Sequence, residues 1–234
     1  MTLAPPPRTE VLRHDLIFRV AHWSVFVEGI LLVLSGFQLG GILWGALLPL
    51  SNVTFHVLVG IAFIATAAIY IVGIVSAGDY RWVGLRRIPY SLKFIIKETK
   101  GWFRITPKPE NPVAYDPVAS EYVEKLVPSV IVVFWAFLLL GVALALSGLA
   151  LAFPQLFGWV YYITDLIGGL LTGTTGVAFM LAFHRMMTYL LLLLVMMHVY
   201  ASFIFKLVTS MVTGKRLEIT TLPRPVEGAS DGKS

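Results

Sequence analysis

Four long apolar stretches constrain the fold of this chain more than any other feature. They lie at Leu16–Leu39, Val53–Ala77, Val127–Phe153 and Val177–Val208. A helix that crosses a bilayer needs about 20 mostly apolar residues, and each stretch reaches that length. We therefore predict an all-α integral membrane protein. Residues 16–208 would form a four-helix transmembrane bundle, with an N-terminal segment at residues 1–15 and a tail at residues 209–234.

The composition agrees with a membrane protein and excludes several kinds of site. Hydrophobic residues make up 57% of the 234 residues and charged residues 13%, against about 25% charged in a soluble domain. No cysteine is present, which excludes iron–sulfur clusters, covalently attached haem and thiolate zinc sites within this chain. The run Val20–Leu39 is long for a signal peptide and contains Glu28, so we expect it to be retained.

The distribution of basic residues predicts the orientation in the membrane. Lys and Arg are concentrated in the N-terminal segment, in the loop between the second and third spans, and in the tail. The loop Gly40–Asn52 carries no charge, and the loop Pro154–Gly176 carries only Asp165. Since basic loops stay in the cytoplasm, both termini and the long second loop are predicted to be cytoplasmic. The +5 net charge is then a topology signal, and we expect contact with lipid and none with nucleic acid.

The connecting segments carry weaker signals. Residues Ile88–Arg104 have the pattern of an amphipathic helix, which could lie in the headgroup layer or serve as a docking platform for a cytoplasmic partner. Pro107–Pro117 is typical of an extended linker. Gly40–Leu50 is apolar but too short to span, so we expect a re-entrant or surface turn. Disorder is expected after Pro223.

Four of the five histidines lie inside the predicted spans, at His22, His56, His184 and His198. Ionisable residues within a membrane are costly and usually functional, although any single one could be a polar contact between helices. His184 and His198 are 14 residues apart, close to four helical turns, so both leave the same face roughly 21 Å apart along the axis.

The predicted topology pairs these histidines by depth. His22 lies near the inner end of the first span and His198 in the inner half of the fourth, whereas His56 and His184 lie in the outer half. Each pair can supply two axial imidazoles to one haem iron, so we predict an inner and an outer b-type haem. A zinc site would need further ligands at the same depth. A haem-free proton-coupled transporter, the alternative from another class, would carry more intramembrane carboxylates than Glu28 alone.

Three charged residues near the histidines are further candidates. Arg19 and Arg185 lie close in sequence to His22 and His184, and an arginine suits the propionates of a haem. Arg19 could equally be a topology charge, and Arg185 could pair with a protein carboxylate. Glu28 is either protonated and packed against another helix or part of a proton path to a quinone.

These motifs resemble those of the cytochrome b (gamma) subunits of respiratory formate dehydrogenases, and of the related nickel–iron hydrogenase, thiosulfate reductase and prokaryotic cytochrome b561-like proteins. The resemblance covers Arg13 to Lys206. The chain departs from the family pattern at Val57, where many relatives have proline. The matching segments are Arg19-Val-Ala-His22-Trp23, His56-Val-Leu-Val-Gly60, Phe183-His184-Arg185 and Met197-His198-Val-Tyr200.

The resemblance implies a membrane cytochrome b subunit of a respiratory oxidoreductase complex in the cytoplasmic membrane. Electrons would pass through two b haems between an iron–sulfur partner subunit and the quinone pool, with quinone bound beside the inner haem. The formate, hydrogen or sulfur chemistry would belong to a catalytic partner subunit, so no catalytic residue is predicted in this chain. The formate dehydrogenase analogy places the partner outside, near His56 and His184. A free-standing cytochrome b561-type electron carrier is the alternative within electron transfer.

Overall fold

A computed structural model describes residues 7–43, 53–204 and 206–220 and is mostly helical. Its strands and helices, in chain order, are β1 (Arg8–Leu12), α1 (Leu16–Leu39), α2 (Val53–Ser76), α3 (Tyr80–Val83), α4 (Ile88–Trp102), β2 (Ala114–Asp116), β3 (Glu121–Glu124), α5 (Ser129–Ala152), α6 (Gly158–Thr172), α7 (Gly176–Ile204), α8 (Val208–Thr213) and β4 (Lys215–Ile219).

The prediction of four spans is confirmed, because α1, α2, α5 and α7 are each long and apolar enough to cross a membrane. The predicted fourth span ran to Val208, but α7 ends at Ile204 and a separate short helix, α8, begins at Val208. Lys206 adopts a left-handed backbone with φ of 53°. Non-glycine residues rarely take this conformation. Because it is not helical, it separates α7 from α8.

The four long helices associate mainly as two pairs, α1 with α2 and α5 with α7, and α2 also contacts α5. Few of their side chains are buried within the protein. Large apolar residues such as Leu139 and Met196 instead cover the outside of the bundle, at 65% and 69% exposure. Such a surface suits contact with the hydrocarbon core of a bilayer, because the backbone hydrogen bonds are satisfied within each helix.

The loop Pro154–Gly176 is not irregular, since most of it forms α6, which packs on α7. A β-carbon added at Gly168 would lie 2.3 Å from the Thr174 carbonyl oxygen and 2.6 Å from Phe179, so this approach requires glycine. The Asp165 carboxylate accepts a 2.6 Å hydrogen bond from the Gly176 N–H. The one charged residue of this loop therefore caps the start of α7.

The second loop is folded onto the end of the bundle. Helix α4 ends at Trp102, two residues before the predicted end, and packs against α5. The Ser91 hydroxyl, fully buried, donates to the Pro128 carbonyl. Part of the predicted Pro107–Pro117 linker is strand β2, which pairs antiparallel with β3. The Lys125 ammonium reaches back to the Asp79 carboxylate at 2.6 Å.

Strands β1 and β4, which lie before α1 and after α8, form an antiparallel pair, with Arg8 opposite Ile219 and Leu12 opposite Lys215. The predicted N-terminal segment and tail therefore each contribute one strand to a small sheet. Both strands and the second loop lie at one end of the bundle, whereas the cytoplasmic assignment of that end remains a prediction from charge. The predictions for the rest of Gly40–Leu50 and for the chain after Pro223 lie outside the described residues.

Candidate functional site

His22 on α1 and His198 on α7 face each other near the end of the bundle where the terminal strands lie. Their ring centroids are 6.3 Å apart, and the ring planes are inclined by 47°. The Phe137 ring meets His198 edge-on at 5.5 Å, and the Tyr70 ring lies 6.4 Å from His22. The Nδ1 atom of His22 is buried and makes no hydrogen bond with any described residue.

His56 on α2 and His184 on α7 form a second, similar pair. Their ring centroids are 6.4 Å apart, and the planes are inclined by 77°. Since α7 contributes His184 to one pair and His198 to the other, a single continuous helix fixes the interval between the pairs. The structure therefore brings the four histidines together in the two combinations expected from their depths.

The separation of the rings suits a metal ion between them. Imidazole nitrogens bind metal ions at about 2.0–2.1 Å, so two imidazoles on opposite sides of one ion have ring centroids about 6 Å apart. No group of three or more His, Cys, Asp or Glu side chains that could hold a metal ion occurs among the residues with described positions. Two imidazoles alone suit a haem iron, because the porphyrin supplies the other ligands.

Two serines that the sequence reasoning missed contact the outer pair. Ser35 Oγ on α1 lies 2.8 Å from His56 Nδ1, and Ser147 Oγ on α5 lies 2.8 Å from His184 Nδ1. A glycine follows each serine, and a β-carbon added at either glycine would lie 3.3 Å from Cε1 of the adjacent histidine. The available signal was the repeated tripeptide Leu-Ser-Gly, at Leu34–Gly36 and Leu146–Gly148.

The two candidate arginines lie in different settings. Arg19 donates from its guanidinium to the Val212 carbonyl and, at 3.3 Å, to the Asp15 carbonyl, so it links α1 to α8. Arg185 is exposed, and its guanidinium lies beside the end of α1. The Nη2 atom is 3.7 Å from the position that a β-carbon on Gly40 would occupy. Contact of either arginine with a haem propionate remains a prediction.

Glu28 lies beside a groove between α1 and α8. The Thr66 hydroxyl donates to its Oε1 at 3.0 Å, while its buried Oε2 has no hydrogen-bond partner among the described residues. The groove has a volume of about 580 Å³. Most of its wall is apolar, with Arg19 and Glu28 as the charged residues; it is lined by Leu16, Arg19, Val20, Trp23, Ser24, Val27, Glu28, Met211 and Val212.

His14, the histidine outside the spans, is half-buried. Its ring stacks on Phe18 at 4.9 Å. Burial, and then the nearby charges of Arg13 and Lys125, lower the pKa of His14 from 6.5 to about 3. This imidazole is therefore neutral at physiological pH, and it belongs to neither histidine pair.

Four membrane-spanning helices with two pairs of facing histidines are the arrangement of a membrane cytochrome b. The chain belongs to the prokaryotic cytochrome b561 family, whose sequence model matches residues 13–214. This family assigns it to membrane electron carriers that hold haem b, as the sequence motifs predicted. Comparison with curated proteins and with solved structures found no match in either case.

Proposed function

We propose that this chain is a dihaem cytochrome b that passes electrons between an iron–sulfur partner subunit and the quinone pool. The observation that carries the proposal is the pair of matching intervals, 6.3 Å for His22 and His198 and 6.4 Å for His56 and His184. Either pair would hold one haem through its two imidazoles. The 14-residue spacing of His184 and His198 on α7 separates the two histidine pairs by roughly 21 Å along the helix axis.

Haem, when bound, supplies reversible one-electron transfer. The protein holds the ligands on rigid helices and surrounds them with apolar side chains, which limits the access of water. Phe137 beside His198 is an example at the inner pair. Arg19 and Arg185 are proposed to lie near the propionates, at opposite ends of the bundle.

The groove beside Glu28 supports a quinone site next to the inner pair. It opens on α1, the helix that carries His22, and an apolar wall with few polar groups is usual for a site of this kind. Glu28 has one carboxylate oxygen held by Thr66 and one without a partner among the described residues. This buried oxygen could pass a proton, taken up from the cytoplasmic side, to a reduced quinone.

The partner is proposed from chemistry that this chain lacks. Without cysteine it can hold no iron–sulfur cluster, so a two-electron donor such as formate, hydrogen or a sulfur compound would be oxidised by another subunit. We propose that this subunit docks at the outer loops, near His56 and His184. Electrons would then cross the cytoplasmic membrane from the outer haem to the inner one.

A redox difference spectrum and a haem assay on the purified full chain test the proposal. We expect a b-type spectrum and two haems per chain. His22→Ala and His56→Ala should each remove one haem, whereas the matched control His14→Ala should retain both. Absence of haem would contradict the proposal and favour the transporter. A haem-loaded chain that purifies alone from native membranes would instead indicate a free-standing carrier.

A further inference from the structure

The two outer histidines share one local arrangement, which occurs on both pairs of helices. Ser35 on α1 contacts His56 on α2, and Ser147 on α5 contacts His184 on α7, each at 2.8 Å between Oγ and Nδ1. Both serines are 1% exposed. The same contact at both ligands of one proposed haem indicates a role at that haem.

The position of the hydroxyl hydrogen follows from the other contacts of each serine. Ser35 Oγ lies 2.7 Å from the Leu31 carbonyl oxygen, and Ser147 Oγ lies 2.7 Å from that of Ala143. A carbonyl can only accept, so the single hydroxyl hydrogen is directed to it, as is common for serine within a helix. The hydroxyl oxygen then accepts a hydrogen bond from the imidazole, and the proton of each histidine is on Nδ1.

We propose that Ser35 and Ser147 are positioning residues that hold His56 and His184 in the Nδ1–H tautomer. This tautomer leaves the Nε2 lone pair of both rings free for one haem iron. The inference rests on the proposed function, because it assigns these serines to the outer haem. Gly36 and Gly148 complete the arrangement, since the ring of each histidine lies against a glycine next to its serine.

The inner pair supplies an internal comparison. His22 Nδ1 has no hydrogen-bond partner among the described residues, so no described serine fixes its tautomer. A hydrogen bond from Nδ1–H increases electron density on the imidazole, which favours ferric over ferrous iron and lowers the midpoint potential. Loss of the serine hydroxyls should therefore raise the potential of the outer haem and leave the inner haem unchanged.

Redox titration of the full chain in nanodiscs, together with haem content, tests this assignment. Ser35→Ala and Ser147→Ala should each change the ferric-to-ferrous ratio of the outer haem at fixed potential roughly threefold, about 30 mV for a one-electron couple. Ser35→Thr, which keeps the hydroxyl, should restore the original potential. Ser76→Ala is the matched control, because Ser76 donates to the Val72 carbonyl in the same way and lies at the exposed end of α2.

The outer component is identified as the one that remains in His22→Ala. Two haems with an unmoved outer potential in both alanine variants would overturn the serine assignment and leave the proposed function intact. Absence of haem from the unsubstituted protein would overturn both. If the alanine variants lose the outer haem, NMR of the ¹⁵N-labelled, reduced, unsubstituted protein decides. Nδ1–H protons of His56 and His184 that lie downfield of that of His22, as expected for N–H groups that donate to a serine hydroxyl, support the assignment, and equal shifts contradict it.

Discussion

The guanidinium of Arg13 donates a hydrogen bond to the carboxylate of Glu218, although 205 positions separate the two residues in the chain. Arg13 also donates to the Lys125 carbonyl at 2.7 Å, and the Tyr122 hydroxyl donates to Glu218 at 3.3 Å. The side chains of Arg13 and Glu218 are 6% and 4% exposed. This ion pair therefore joins the N-terminal segment, the second loop and the C-terminal strand in one buried contact.

Glu218→Ala should destabilise this end of the protein, because it leaves the Arg13 charge buried without its partner. Breaking a buried ion pair on one side costs about 3–5 kcal/mol. Thermal unfolding in detergent and proteolysis near β1 and β4 measure the effect. Lys215→Ala is the control, since the pair of Lys215 with Glu10 is exposed and should contribute less than about 1 kcal/mol. Equal effects of the two changes would contradict the prediction.

Gly36→Ala and Gly148→Ala should weaken retention of the outer haem about tenfold, as changes next to metal ligands often do. In each case the added β-carbon would lie 3.3 Å from the ring of a histidine of the outer pair and displace it. Haem release measured by transfer to an excess of an acceptor protein reports the change. The matched controls are Gly73→Ala and Gly141→Ala, whose β-carbons meet nothing within 4 Å. Haem release as slow as in these controls would contradict the predicted displacement of the histidine rings.

His14 should make stability depend on pH. Its pKa is about 3 in the folded protein and 6.5 ordinarily, so below pH 6.5 the unfolded chain binds a proton that the folded chain does not. Stability should fall as the pH decreases from about 6.5 towards 3, and His14→Gln should remove this part of the decline. Melting temperatures between pH 4 and 7 measure it. Parallel curves for the two proteins would refute a buried, neutral His14.

Glu28→Gln should slow quinone reduction about 10²-fold, the usual contribution of a positioned proton donor, without loss of haem. The amide oxygen can still accept from Thr66, so the fold should be kept. Quinone reduction is measured after chemical reduction of the haems, by the rate of their reoxidation. Glu98→Gln on α4, outside the groove, is the control. Equal reoxidation rates in the two variants would exclude Glu28 from the proton path.

The helical core of the fold could be predicted because its signals are local. Apolar length alone identified the four spans, and the spacing of His184 and His198 placed both on one face of α7. The charge of the loops then indicated which histidines share a depth, and the structure places the rings of those partners side by side. Ligation of haem remains a prediction for all four.

The features missed from the sequence depend on contacts between distant segments. Helix α6 has 15 residues, too few to span a bilayer, and its close approach to α7 through Gly168 has no local signature. Strands β1 and β4 have five residues each, too few to be recognised without the partner strand. Ser35 and Ser147 are ordinary residues for a membrane helix, since serine can bond to its own backbone, and only the packed structure shows the histidine beside each.

The pairing of β1 with β4 also sets an order on the assembly of the chain. Residues 8–12 precede all four long helices in the chain and residues 215–219 follow them, so β1 is synthesised before α1 and has no partner until α7 has been translated. The pair can form only if both strands emerge on the same side of the membrane. Formation of the β1–β4 pair therefore depends on correct insertion of the spans between the two strands.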